Sequence, residues 1–122
     1  MFSQKDQDRF RKRLEHERAT LIEKTRGRAE HALAEQLKLP DEVDQASSGQ
    51  NQALELRLAD KDRKLLKLIE HALTKFAGGE YGYCEGTGEP IALPRLEARP
   101  WARYSVAYKE QLELERALHV ED

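Results

Sequence analysis

Leu39-Pro40-Asp41-Glu42-Val43-Asp44-Gln45-Ala46 separates two long, heavily charged stretches of helical periodicity. Proline pushes the residue before it out of helical backbone angles, so a helix that reaches Leu39 must end there. Asp41 and Asp44 are residue types that turns and helix N-caps select. The stretch therefore reads as the turn of a helical hairpin, with one helix running up to it and another running away. The two aspartates sit at the tip, and the small Ala46 beside them keeps that tip slim.

Towards the N-terminus, Ser3 to about Leu37 reads as one helix. Ser3 and Asp6 have the spacing of a capping box. Phe10, Leu14, Leu21, Ile22, Ala29, Ala32 and Leu33 fall on one stripe. Gly27 interrupts it at a cost of about 1 kcal/mol relative to alanine. The alanine-rich end of the stripe suits close approach of a second helix. Beyond the turn, Ser47-Ser48-Gly49 offers caps and a flexible hinge. A helix from about Ser48 to Ala77 carries Leu54, Leu58, Leu65, Leu68 or Ile69, Ala72, Leu73 and Phe76 on its stripe. The steps from 65 to 69, 72 and 76 are those of a coiled-coil seam. Glu55 and Asp62 stand where that seam would continue towards the turn, so the half of the arm near the tip should be wetter. A helix of about 30 residues gives an arm of about 45 Å.

Gly78-Gly79 stops the second helix, and the chain then changes character. Glu80 to Pro100 is rich in glycine, proline and aromatic residues. Ile91-Ala92-Leu93 suggests a short strand, Pro94 and Pro100 mark breaks, and a last helix is expected from Trp101 or Ala102 to Leu118. Cys84-Glu85-Gly86-Thr87 and Ser105-Val106-Ala107-Tyr108 both have the spacing of a zinc knuckle, with 17 residues, 88–104, between them. That is the layout of a C4 zinc ribbon, yet Cys84 alone is a thiol. Thr87, Ser105 and Tyr108 offer hard oxygens that stay protonated near neutral pH, and one thiolate cannot hold a tetrahedral zinc. No metal is expected, and Cys84 reads as a small buried packing residue. Tyr81, Tyr83, Trp101, Tyr104 and Tyr108, with Ile91, Leu93 and Leu96, are expected to form the replacement core.

Charged residues make up 36% of the 122, and mean hydropathy is −0.84. This composition is too polar for a compact sphere, and the periodic apolar residues argue against disorder. The net charge of −2, with both signs mixed along the helices, argues against a nucleic-acid binder whose affinity rests on neutralising phosphates. No apolar run approaches the roughly 20 residues that span a bilayer. Met1-Phe2-Ser3-Gln4-Lys5-Asp6 lacks the apolar core of a signal peptide. The single cysteine fits a reducing compartment, so a cytoplasmic, monomeric protein is expected. His16, His31, His71 and His119 are scattered and read as solvated.

The chain resembles the DksA/TraR family of bacterial transcription factors. The resemblance rests on Gly82-Tyr83-Cys84-Glu85, on Ile91 with Arg95-Leu96-Glu97-Ala98-Arg99-Pro100, and on Leu54-Glu55-Leu56-Arg57. The turn Pro40-Asp41-Glu42-Val43-Asp44-Gln45-Ala46 matches the family's Asp-x-x-Asp-x-Ala tip. The departure is at three of four zinc-ligand positions, Thr87, Ser105 and Tyr108, so the chain looks like a zinc-independent paralogue. The resemblance implies a protein that binds RNA polymerase rather than DNA and puts a coiled-coil tip through the secondary channel. It further implies modulation of promoter complexes, often with the alarmone ppGpp, in the stringent response. By resemblance, Arg99 and Lys109 fall where the family contributes to a ppGpp pocket shared with polymerase, with Arg95 nearby, and a family lysine falls at Leu68. Ordinary surface charge remains the competing reading of Arg95, Arg99 and Lys109, as plain turn chemistry does for Asp41 and Asp44.

The expected fold is mainly α: a long antiparallel coiled-coil hairpin over 1–77, its tip at about 38–48, and a degenerate zinc-finger-like module with a C-terminal helix over 78–122. The expected function is non-enzymatic regulation of transcription, since no positioned nucleophile or third group accompanies the tip aspartates. Two alternatives stand beside it: a Gre-type transcript-cleavage factor, which also uses an acidic coiled-coil tip, and a generic helical protein-binding adaptor.

Overall fold

The computed structural model describes residues 2–37 and 45–121, the side chains of 45–51 and 120–121 aside. The turn with Pro40, Asp41 and Asp44 lies outside the described residues, as does the side chain of Ala46. Four helices follow one another: α1 (Gln4–Gln36), α2 (Gln45–Thr74), α3 (Leu93–Ala98) and α4 (Val106–Glu121). Among the described residues the one β-pairing is an isolated bridge between Tyr83 and Pro90. The fold is mainly α. It divides into two compact units, Met1–Glu15 with Leu68–Asp122, and His16–Lys67.

In the first unit, α1 opens with the expected capping box. The Asp6 N–H donates to Ser3 Oγ at 3.1 Å and the Ser3 N–H to Asp6 Oδ2 at 3.4 Å. Phe10, Leu14, Ile69, Ala72, Tyr81, Cys84, Ile91 and Leu96 form the core, joined by Pro100. Removing a side chain as large as Leu96 or Ile69 from water stabilises the fold by about 1.5–3 kcal/mol each. Tyr81 is the ring at the centre. It stacks on Phe76 with centroids 4.2 Å apart, meets Phe10 at 5.9 Å, and donates its hydroxyl to Pro100 O at 2.8 Å. Burial in this apolar setting pushes the Tyr81 phenol up. Arg9 pairs with Glu97 at 2.6 Å and Arg13 Nη1 donates to Glu97 O at 2.5 Å, tying the start of α1 to the end of α3.

Four local expectations need correction here. The second helix ends at Thr74, because Lys75 N–H turns to Ala72 O and Glu80 N–H to Lys75 O. A reversal follows at Gly79, whose φ of 71° needs glycine. Ile91-Ala92-Leu93 is no strand, since Leu93 already starts α3 and Pro94 lies in its first turn, where a missing N–H costs nothing. The last helix starts at Val106 rather than Trp101 or Ala102, with Ser105 Oγ accepting the Tyr108 N–H at 3.2 Å. The expected replacement core is only partly realised. Tyr81, Ile91 and Leu96 are buried and Leu93 is exposed, while Tyr83, Trp101, Tyr104 and Tyr108 are half-buried.

In the unit His16–Lys67, α1 and α2 run antiparallel, with Arg28 and Lys24 reaching Asp62 and His31 reaching Glu55. Leu21 alone is buried there among the described residues. Asp62, at a seam position, is 13% exposed and lies 2.7 Å from Arg28 Nη2 and 3.3 Å from Lys24 Nζ. Burial raises its carboxyl, but the two cations outweigh that and hold it below the usual range. Residues 52–58 are all exposed, so this half is wet, as Glu55 and Asp62 led one to expect. The alanine stripe does not close, however. Ala29 and Ala32 are exposed and, with Leu56, Ala59 and Leu66, line an open groove of about 640 Å³. Ser47-Ser48-Gly49 is helical backbone within α2, not a hinge.

Candidate functional site

Two irregular segments, 82–89 and 99–105, carry the chemistry of the module. Their folding follows from local backbone bonds. Cys84 N–H donates to Glu89 O at 2.7 Å, Gly88 N–H to Cys84 O at 2.9 Å, and Ile91 N–H to Gly82 O at 2.7 Å. The two segments are joined by Glu85 N–H, which donates to Arg103 O at 2.9 Å. Gly86 lies so close to the Tyr108 ring that a Cβ there would overlap it. A glycine is therefore needed at position 86 for the Tyr108 ring of α4 to pack against it. Gly82, with φ 90°, leaves the space that the Phe2 ring fills.

Glu85 is a hub. Its carboxylate lies 2.6 Å from His71 Nε2, 3.9 Å from Lys75 Nζ, and accepts a hydrogen bond from Arg103 Nε. Burial pushes the Glu85 carboxyl up, but bonds from His71 and Arg103 and the charge of Lys75 bring it below its ordinary value. The Lys75 side chain is buried along its stem. His71, expected to be solvated, is instead one of the hub's anchors on α2.

Cys84 is buried as expected, and it is more than packing. Burial raises its thiol, but Thr87 Oγ1 and the backbone N–H groups of Ser105, Thr87 and Gly86 hydrogen-bond the sulfur and together lower it to about 6. This ring of donors favours a thiolate.

On the other side of segment 99–105, Arg95, Arg99, Arg103, Lys109, Trp101 and Tyr104 line a cavity of about 190 Å³, with Leu68 from α2 in its wall. Arg95 Nε donates to Tyr104 O at 2.8 Å, and the Arg103 guanidinium lies over the Tyr104 ring. Arg99 and Lys109 pair with no carboxylate among the described residues. The arrangement can take an anion: four cationic side chains converge, and the aromatic walls offer flat apolar area. The sequence singled out Arg95, Arg99 and Lys109, and they do converge. Trp101 and Tyr104 were read as core rings rather than cavity walls, and Arg103 and the Glu85 hub went unread, because no spacing rule links residues 18 apart through a loop.

Residues 6–76 match the family described as DnaK suppressor protein DksA, N-terminal domain. Residues 79–107 match the one described as prokaryotic dksA/traR C4-type zinc finger. The chain belongs to the DksA family. The RNA polymerase-binding transcription factor DksA of Caulobacter vibrioides is 42% identical over 113 residues, which cover 93% of this chain and 80% of that one. Its namesake in Escherichia coli K12 is 39% identical over 105 residues, covering 86% and 70%. Among solved structures, transcription factor DksA2 from Pseudomonas aeruginosa superposes with a TM-score of 0.80 at 36% identity, covering 94% of this chain and 88% of that one.

The family's C4 pattern implies zinc, and the donor set tests whether it fits. Cys84 supplies one thiol. Thr87 Oγ1 is engaged with the sulfur and with the Glu89 N–H, and Ser105 Oγ with the Tyr108 N–H. The Tyr108 ring covers Gly86. These four residues do not suit a tetrahedral zinc ion. Among the described residues there is no group of three or more His, Cys, Asp or Glu side chains able to hold a metal. Nor is any described helix long and apolar enough to cross a membrane.

Proposed function

We propose that this chain is a non-enzymatic transcription factor of the cytoplasm that binds RNA polymerase and acts through its secondary channel. Membership of the DksA family carries this reading, since the relatives are named for RNA polymerase binding. In this proposal residues 1–77 form the arm and 78–122 the docking module, a division supported by the family matches over 6–76 and 79–107. Asp41 and Asp44, with Ala46 keeping the tip narrow, act on the polymerase centre. A carboxylate there can accept hydrogen bonds or perturb charge around a catalytic cation. Arg95, Arg99 and Lys109 form the protein's half of a ppGpp site. A cavity of about 190 Å³ is smaller than the roughly 300–1,000 Å³ of a pocket that encloses a whole ligand, which supports a half-site completed by polymerase. The module folds without zinc, in keeping with the donor set.

In vitro transcription from a ribosomal promoter, with and without ppGpp, tests this. Wild type should repress, and Asp44→Asn should lose repression while polymerase binding persists. Rapid RNA cleavage in a backtracked complex would instead favour a Gre-type factor, and an Asp44→Asn protein as active as wild type would sink the tip mechanism.

A further inference from the structure

Arg103 has two roles to reconcile: it joins the two halves of the knuckle, and it lines the cationic cavity. The bond to Glu85 is made by Nε, the inner nitrogen, so the Nη groups remain to donate to a second acceptor. Arg95 is held in the same way, by Nε to Tyr104 O. Arginine suits this double duty because its planar fork can be fixed at one edge and still present the other. The carboxylate that fixes Arg103 is itself held by His71 and Lys75 on α2, and the Glu85 N–H is bonded to the Arg103 carbonyl. Both the backbone and the side chain of Arg103 are thus tied to one residue. With Arg95, Arg99, Arg103 and Lys109 the cavity gathers four formal positive charges against the single negative charge of Glu85. That excess matches a di- or polyphosphate better than a carboxylate.

We propose that Arg103 is a ligand-gripping cation of this cavity and that Glu85 is its positioning residue, holding Nε so that the outer nitrogens meet a phosphorylated anion seated among Arg95, Arg99 and Lys109. This rests on the anion-site reading given above and adds to it residues that the sequence did not single out. It also means that the ion-pair hub at Glu85 sets the shape of the anion site. Knuckle integrity and anion affinity are coupled through one guanidinium.

Trp101 is the single tryptophan of the chain and lines the cavity, so its fluorescence reports on binding. The probe is inorganic pyrophosphate, titrated into the full chain, with far-UV circular dichroism on every variant. Wild type should respond, and Arg99→Ala should respond weakly. Arg103→Ala should bind about tenfold more weakly, the effect expected of a charged hydrogen bond. Arg103→Lys, which keeps the charge but has no Nε to place in Glu85's grip, should also weaken binding and takes over if the alanine variant unfolds. The decisive variants are Glu85→Gln and Glu85→Asp. Losing a negative charge near an anion site would by itself tighten binding, so weaker binding by Glu85→Gln marks lost positioning. Glu85→Asp keeps the charge but shortens the reach and should weaken binding too. In an Arg103→Ala background neither change should weaken binding further. Arg103 variants that bind as wild type does, or Glu85 variants that bind equally or more tightly, overturn the proposal while the Arg99 result leaves the anion site standing. A wild-type protein that gives no response overturns the anion site itself.

Discussion

The unit of Met1–Glu15 with Leu68–Asp122 buries Phe10, Leu14, Ile69, Ala72, Tyr81, Ile91 and Leu96, whereas the unit His16–Lys67 buries Leu21 alone among its described residues. One is held by a packed apolar core with polar ties around it. The other is held by two long helices whose facing positions include Asp62 and exposed alanines. The lesson is that the same two helices change their source of stability along their length. Hydrophobic burial dominates in the first unit, while the second, with Leu21 alone buried among its described residues and Asp62 in its seam, has far less apolar area to draw on.

The widest contrast should come from truncating a core leucine. Leu96→Ala is expected to cost about 2–5 kcal/mol, read as a fall in the denaturation midpoint. A loss below about 1 kcal/mol would mean the first unit is not held by its core. Next comes the charged seam. Asp62→Ala should cost about 1–3 kcal/mol by leaving Arg28 and Lys24 without their acceptor. Asp62→Leu should be neutral or stabilising, because an apolar residue completes the seam and escapes the desolvation of the carboxylate. Chemical denaturation of both variants checks the sign, and equal losses would break the distinction between the units.

A pH effect belongs to the first unit. The Cys84 thiol falls from an ordinary 9.0 to about 6 on folding, so the folded state favours thiolate. Its contribution is complete above about pH 9 and is lost as pH falls through about 6. Between pH 7 and pH 5 wild type should lose on the order of 1 kcal/mol that Cys84→Ser does not lose, measured by the difference between their melts. Parallel profiles would show that the sulfur carries no such charge. The smallest effect is expected on the wet half of α2: Leu56, 72% exposed, should tolerate alanine within about 0.5 kcal/mol.

Much of the helical frame was legible from local rules. The capping box at Ser3 and Asp6 and the wetness near Asp62 depend on contacts within a few residues or on one helical face, whereas α2 ends at Thr74, short of the stop expected at Gly78-Gly79. The misreadings share a cause. Ile91-Ala92-Leu93 has a strand's composition, but Pro94 in the first turn of a helix overrode it. Trp101 to Tyr104 could have extended α4, but Ser105 caps that helix and the freed backbone bonds Glu85 and Arg95 instead. Ala29 and Ala32 suggested a tight interface, yet small residues permit close approach without enforcing it, and here they line a groove.

From the residues alone followed two long helices, a knuckle with one thiol in place of four, and three cations of the candidate site, because each is written in short-range spacing and side-chain chemistry. Tertiary structure decided which rings entered the core, that His71 and Lys75 anchor Glu85, and that Arg103 joins the knuckle to the cationic cavity. Those pairings close loops whose ends lie 10 to 18 residues apart in sequence. The geometry that selects them, with burial on one side and a single carboxylate shared on the other, exists only once the chain has folded.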